Sequence, residues 1–223
     1  MLSPDTPAAR LNAVREKLAR AARAAGRPPE AIELIAISKT HPAEDILPLI
    51  AAGQTSFGEN RVQEAQAKWP ALKEAHPSLR LHLVGQLQSN KAEDAVALFD
   101  AIHGVDRTSL VDALAKAIVK SDRRPALFVQ VNIGEEAQKG GCAIADLPHL
   151  LAHCESVGLT IAGLMCVPPA DTEAAPYFAL LAKLAHDHGL AQLSMGMSGD
   201  YETAAMLGAT CVRVGTALFG ARA

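Results

Sequence analysis

The sequence predicts an α/β protein, a single-domain (β/α)8 barrel spanning residues 1–223. Three observations predict it. Eight strand-like runs rich in apolar and β-branched residues recur, at 33–38, 55–58, 80–85, 101–105, 126–132, 160–165, 193–197 and 210–215. Their starts are mostly roughly 20 to 33 residues apart, the length of one strand-plus-helix unit. The segments between them carry helical apolar spacing. An open, doubly wound sheet is the rival architecture, but it has no preferred strand count of eight, whereas the barrel requires eight.

The first element is a helix. Thr6 can cap it, Pro7 suits its first position, Leu11, Val14 and Leu18 mark one face, and Gly26 ends it. The run 33–38 then leads straight into Lys39. After it, Ile46, Leu49 and Ile50 mark a helix, and after the second strand Val62, Ala65 and Trp69 mark another. Leu110, Leu114, Ala117 and Ile118 follow the fourth strand, and Phe178, Leu181 and Leu184 follow the sixth. Beyond the eighth strand only residues 217–223 remain, too few for a full helix. The N-terminal helix is therefore expected to close the ring.

Composition narrows the function. A hydrophobic share of 49% with 20% charged residues is ordinary for a globular protein. A formal charge of -3 gives no net attraction to nucleic acid or anionic membrane. Cys142, Cys154, Cys166 and Cys211 form no C-x-x-C pair, so reduced, buried thiols are expected. No run approaches the ~20 apolar residues of a membrane span, and the N-terminus lacks a signal-peptide core. The cytoplasm is the expected compartment.

In a barrel, chemistry sits where strands end and helices begin. Those junctions read "SKTH", "GEN", "GQLQSNK", "GVDR", "VNIGEEAQKGG", "MCVPP", "MGMSGD" and "RVGTALFG". Lys39 is the first of them. A lysine at a strand end is either a solvated side chain or a Schiff-base amine, whose loss of a proton partial burial would favour. Ser198, at the seventh junction, and Gly215 and Thr216, at the eighth, offer hydroxyls and backbone amides where barrels recurrently hold phosphate. The plain alternative is helix capping by Ser198 and a tight turn at Gly215. One ligand fits an amine on the first strand and a phosphate cup on the last two: pyridoxal 5'-phosphate, with an aldehyde at one edge and a phosphate at another. His149 and His153 stand at i, i+4 without the glutamate of a metalloprotease helix, and His186 and His188 flank Asp187. Surface histidines, not a metal site, are expected there. Asn90 and Lys91 suit either a second anion or contact with a neighbouring loop.

The motifs "AISKTHP", "FGENRVQEAQ", "HLVGQLQSNK", "VDR", "QVNIGEEAQKGG", "GLM", "LSMGMSGD" and "VRVGTALFG", in that order, resemble the YggS/PROSC family of pyridoxal-phosphate homeostasis proteins. The resemblance runs from about Leu34 to Gly220. It implies the fold type III barrel of the alanine racemase N-terminal domain, standing alone. It makes Lys39 the lysine of a covalent aldimine and puts Ser198, Gly215 and Thr216 on the phosphate. It sets Arg213 against the pyridine nitrogen and Asn60 beside the ring. Three positions depart from the family: Leu81 stands for a usual tryptophan, Gly199 for a larger residue, and Cys166 for a usual threonine.

The implied function is to carry and buffer pyridoxal phosphate in vitamin B6 homeostasis, as a monomer, with apo-enzymes that use the cofactor as possible recipients. No catalytic residue is assigned. An arginine at the pyridine nitrogen disfavours the proton that makes the ring an electron sink. Racemization needs a second base, and of the two tyrosines, Tyr177 and Tyr201, the latter is expected in a capping or surface role. A stand-alone racemase is the alternative, and a cofactor-free Schiff-base aldolase a more distant one.

Overall fold

Strands that are apolar on both faces need cover on both, and this chain supplies it by curling its sheet shut inside a ring of helices. The computed structural model describes residues 6–220. Eight parallel strands close in sequence order: β1 (Glu33–Ile37), β2 (Ser56–Glu59), β3 (Arg80–Leu83), β4 (Ala101–Val105), β5 (Ala126–Gln130), β6 (Ile161–Met165), β7 (Gln192–Ser194) and β8 (Cys211–Val214). β1 pairs with β8, Ile35 opposite Arg213, and that pairing excludes the open sheet. The expected strands are all present, the fourth with unchanged ends and the others with ends moved by up to three residues. Past the shortened ends the ladder continues: the Val84 amide donates to the Glu59 carbonyl at 2.9 Å, and the Arg213 amide to that of Gly196 at 2.9 Å. The alternation of side chains therefore carries into the loops.

The helices are α1 (Pro7–Ala24), α2 (Ala43–Ala51), α3 (Val62–Ala75), α4 (Ala92–Leu98), α5 (Thr108–Ser121), α6 (Leu147–Ser156), α7 (Ala175–Asp187), α8 (Tyr201–Met206) and α9 (Thr216–Phe219). α4 has no clear sequence signal because its buried face is Ala92, Ala95 and Val96, too small to mark a period. α1 starts as expected, with the Ala9 amide donating to Thr6 Oγ1 at 3.2 Å. It packs against α8, α9 and α2, and Arg10 Nε donates to the Leu218 carbonyl at 2.7 Å, closing the ring. Of the final stretch, 221–223 lie outside the described residues.

Two cores result. The larger lies between strands and helices and includes Phe57, Trp69, Phe99, Phe178 and Leu81, all fully buried. Leu81 fills its site opposite Phe57 without the usual tryptophan. The smaller lies inside the barrel: Ile35, Ala101, Phe128, Met165 and Cys211. All four cysteines are free and buried. Burial pushes the thiols of Cys142 and Cys166 up to about 12 and those of Cys154 and Cys211 to about 11.

Candidate functional site

Every second residue of β1 faces the barrel interior. Ile35 belongs to the inner core, Ile37 packs against it, and the next in the row is Lys39. Alternation therefore delivers the lysine, half-buried, to the mouth at the strand ends. Its loop is pinned from α3. Lys68 Nζ donates to the carbonyls of Ser38 and His41, both at 2.8 Å, on either side of Lys39. The Thr40 amide donates to Glu64 Oε1, which holds Thr40 at a φ of 65°, left-handed backbone that a β-branched residue rarely adopts. Lys68 is fixed in turn by buried Glu59 at 2.9 Å, and that carboxylate also accepts from Ser38 Oγ (2.6 Å) and Trp69 Nε1 (2.9 Å).

Lys39 opens on a cavity of about 470 Å³, and Asn60, Ser198, Arg213, Gly215 and Thr216 line the same cavity. All six residues named from the sequence meet there. Asn60 follows β2 directly, and its backbone is overlaid by Gly85. A Cβ on Gly85 would lie 2.2 Å from the Asn60 carbonyl oxygen, so the first glycine of "GQLQSNK" is required by that approach. Ser198 does not cap α8. Asp200 occupies that cap position, with its carboxylate accepting from the Met197 amide. Ser198 Oγ instead accepts from the Gly215 amide at 3.3 Å, tying the seventh junction to the eighth.

Arg213 is 4% exposed. One guanidinium arm donates to Ser194 Oγ at 2.6 Å and the other to the Cys166 carbonyl at 2.8 Å. The backbone makes the latter bond, so cysteine in place of threonine at 166 leaves it intact. Burial draws the guanidinium pKa below its usual value. Gly199 leaves open space at the rim, where a Cβ would meet nothing within 4 Å.

Several lining or supporting residues carry no separable sequence signal. His41 lines the cavity, stacks on Phe219 with centroids 4.3 Å apart, and contacts Asp45 Oδ2 at 3.1 Å. Lys68, Glu64 and Glu59 look like ordinary helix and strand charges until the loop they clamp is seen. Two expectations need correction. Tyr201 is 4% exposed and packs into the outer core, because the first turn of α8 lies against α1 rather than solvent. His153 is half-buried, with Nε2 2.7 Å from Asp112 Oδ1, because α5 and α6 are neighbours. Asn90 and Lys91 lie outside the cavity wall, Lys91 3.3 Å from Asp94. No group of three potential metal ligands occurs among the described residues, and no helix there is long and apolar enough to cross a membrane.

Comparison with known proteins agrees with this architecture. Residues 9–223 match the family model described as alanine racemase, N-terminal domain. A Pseudomonas aeruginosa protein named pyridoxal phosphate homeostasis protein is 41% identical, over 98% of this chain and 96% of its own. Its Escherichia coli K12 namesake is 39% identical over 94% of each. PipY of Synechococcus elongatus, solved with PLP bound, superposes with a TM-score of 0.83 at 40% identity, covering 96% of this chain and 100% of that one. Alanine racemase of Clostridium difficile shares the fold alone, with a TM-score of 0.69 at 13% identity; 93% of this chain matches 56% of the racemase. The chain belongs to the alanine racemase N-terminal domain family, in its pyridoxal phosphate homeostasis branch.

Proposed function

We propose that this member of the pyridoxal phosphate homeostasis branch binds pyridoxal 5'-phosphate at its barrel mouth, and carries or buffers it within the cell without strong catalysis of its own. The observation that carries the reading is the convergence of Lys39, Asn60, Ser198, Arg213, Gly215 and Thr216 on one cavity. Its volume suits a small cofactor. The donor set fits the group: one amine, one buried cation and a cluster of hydroxyl and amide donors. Lys39 would hold the aldehyde carbon covalently. Ser198, Gly215 and Thr216 would hold the phosphate, Arg213 the pyridine nitrogen, and Asn60 the ring edge. When bound, the cofactor supplies a reactive aldehyde and a ring able to draw electrons. Arg213, already cationic, opposes protonation of that ring nitrogen. The named relatives and the PLP-bound PipY support the same reading. Function as a monomer in the cytoplasm, with delivery to apo-enzymes, completes it.

The test is the visible spectrum of purified protein before and after borohydride, with the reduced peptide mapped. The adduct is expected on Lys39 and absent from Lys39→Ala. An adduct on Lys91 or Lys139 instead would overturn the assignment.

A second reading, a weak amino-acid racemase, draws on one observation. His41 lines the cavity with Lys39, and an imidazole is a side chain able to exchange a proton. Neither Tyr177 nor Tyr201 does. Incubating holo-protein with alanine and serine in deuterium oxide separates the two. A carrier gives negligible α-deuteration, whereas rapid exchange lost in Lys39→Ala and His41→Ala restores the enzyme.

A further inference from the structure

A polar chain crosses the apolar interior of the barrel. It starts at Arg213, whose guanidinium donates to Ser194 Oγ at 2.6 Å. Ser194 Oγ lies 2.8 Å from His103 Nδ1, and His103 Nε2 lies 3.0 Å from His82 Nδ1. His82 Nε2 makes no hydrogen bond of ordinary length among the described residues, and the group it faces is Glu33 Oε1 at 3.6 Å. Glu33 also accepts from Ser56 Oγ at 2.6 Å and pairs with Arg80 at 3.2 Å. Glu33 and Arg80 line a groove at the opposite end of the barrel from Lys39. The chain thus links the cavity wall to the barrel's other opening. It runs through side chains that are 0% (Ser194, His103) and 2% (His82) exposed.

Proton counting gives it one direction. A guanidinium only donates, so Ser194 accepts there and has a single proton left to give. The neighbouring Cys211 thiol, kept protonated by burial, competes weakly for it. The serine proton therefore goes to His103 Nδ1. Burial, the largest cause, with the nearby Arg213 guanidinium adding to it, holds His103 well below the usual histidine range, so it stays neutral. Its proton must then sit on Nε2 and go to His82 Nδ1, leaving the His82 Nε2 proton facing the Glu33 carboxylate. Stacking of His103 on Phe128, centroids 4.3 Å apart and planes 12° apart, fixes the ring that makes the turn.

We propose that Ser194, His103, His82 and Glu33 are positioning residues for Arg213, a one-way donor chain that fixes the guanidinium at the cavity wall. Apolar side chains of similar volume would fill the interior as well. What they would lack is an acceptor for the second guanidinium arm, the first being held by the Cys166 carbonyl at 2.8 Å, and it takes both to leave the arginine a single orientation. The significance of this for the cofactor ring rests on the proposed function, but the chain itself is testable without cofactor.

The experiment uses histidine- and arginine-labelled protein, first free of cofactor. Long-range ¹H–¹⁵N spectra are expected to show a proton on Nε2, and an accepting Nδ1, in both His82 and His103. The Arg213 guanidinium is expected to rotate slowly. His103→Phe keeps the stack but removes the acceptor that orients Ser194, and should speed that rotation although the Cys166 carbonyl still holds one arm. His103→Asn places an oxygen near the old Nδ1 position and should restore it. With pyridoxal phosphate added, His103→Phe should weaken binding up to about tenfold, the scale of one lost hydrogen bond, and His103→Asn should recover most of it. A proton on Nδ1 of either histidine, or free Arg213 rotation in wild type, overturns the proposal. So does equal rotation in wild type and His103→Phe when both melt cooperatively. If no variant, wild type included, binds the cofactor, the proposed function fails while the spectra still decide the chain.

Discussion

The outer and inner cores of this barrel are assembled from different materials. Between strands and helices, the contacts are Leu, Val, Ala, Phe and Trp repeated at helical spacing, with each residue replaceable in kind. Inside the barrel, five apolar residues share the space with His82, His103, Ser194 and Arg213, each with one or two specific partners. The outer core derives its stability from area and volume, and the inner core adds direction. Substitutions in the two should therefore fail differently: outer ones by loss of fold, inner and rim ones by loss of ligand chemistry in a folded protein.

The sharpest test of that division is Phe178→Ala. Phe178 is fully buried on α7, and deleting its ring leaves a cavity the outer core cannot close. A loss of about 3–5 kcal/mol is expected in urea unfolding. Cofactor affinity of the protein that remains folded should match wild type. A tenfold change in affinity there would break the comparison, because the two cores would then be acting as one.

Ser198→Ala combined with Thr216→Ala is the converse. Hydrogen bonds to charged groups contribute roughly 1.5–3 kcal/mol each, so the pair should weaken cofactor binding on the order of a hundredfold or more. Ser198 is half-buried and Thr216 exposed, so the melting temperature without cofactor should fall by no more than the single Gly215–Ser198 bond contributes. Equal dissociation constants for wild type and double mutant would remove the cup from the argument.

The same division explains what was legible in the sequence. Strand runs and helix faces of the outer core are periodic, and periodicity survives without coordinates; Val62, Ala65 and Trp69 announce α3 unaided. Lys39, Ser198, Gly215 and Thr216 were legible because they fall at strand-to-helix junctions. Arg213 and Asn60 came through family resemblance rather than spacing. His82 and His103 carry no period and sit inside strands, 21 residues apart, so nothing along the chain pairs them. Tyr201 was misplaced because its burial depends on α1, far away in sequence, folding back across α8.

Acid sharpens the contrast for the charge at the barrel's far end. Burial pushes the Glu33 carboxyl up, but His82, Ser56 and Arg80 outweigh it and hold the pKa at about 2. A carboxylate depressed in the folded state contributes stability that is fully present above the unfolded value, near 4.3. That contribution is lost as pH falls from there through about 2. Wild type should exceed Glu33→Gln in stability at neutral pH by a constant margin that shrinks only in this acidic window. A margin that shrinks well above this acidic window would take the effect away from the Glu33 carboxylate.

The smallest effect belongs to a third environment, the outer surface of the helices. Lys120 Nζ lies 2.7 Å from Glu93 Oε2, as short as the bonds inside the barrel, but the side chains are 70% and 66% exposed. In water the attraction is screened, and ordering two long side chains opposes it. Lys120→Ala should therefore change stability by less than about 1 kcal/mol, and added salt should erase what difference there is. Distance alone does not separate this pair from Arg213 and Ser194 at 2.6 Å. Burial does: Glu93 freed of its partner turns to water, whereas Ser194 and His103 have no water to turn to. A Lys120→Ala loss above about 1.5 kcal/mol, persisting in high salt, would mean that geometry rather than burial sets the worth of these contacts. The division between the two cores would then have to be drawn on bond length instead.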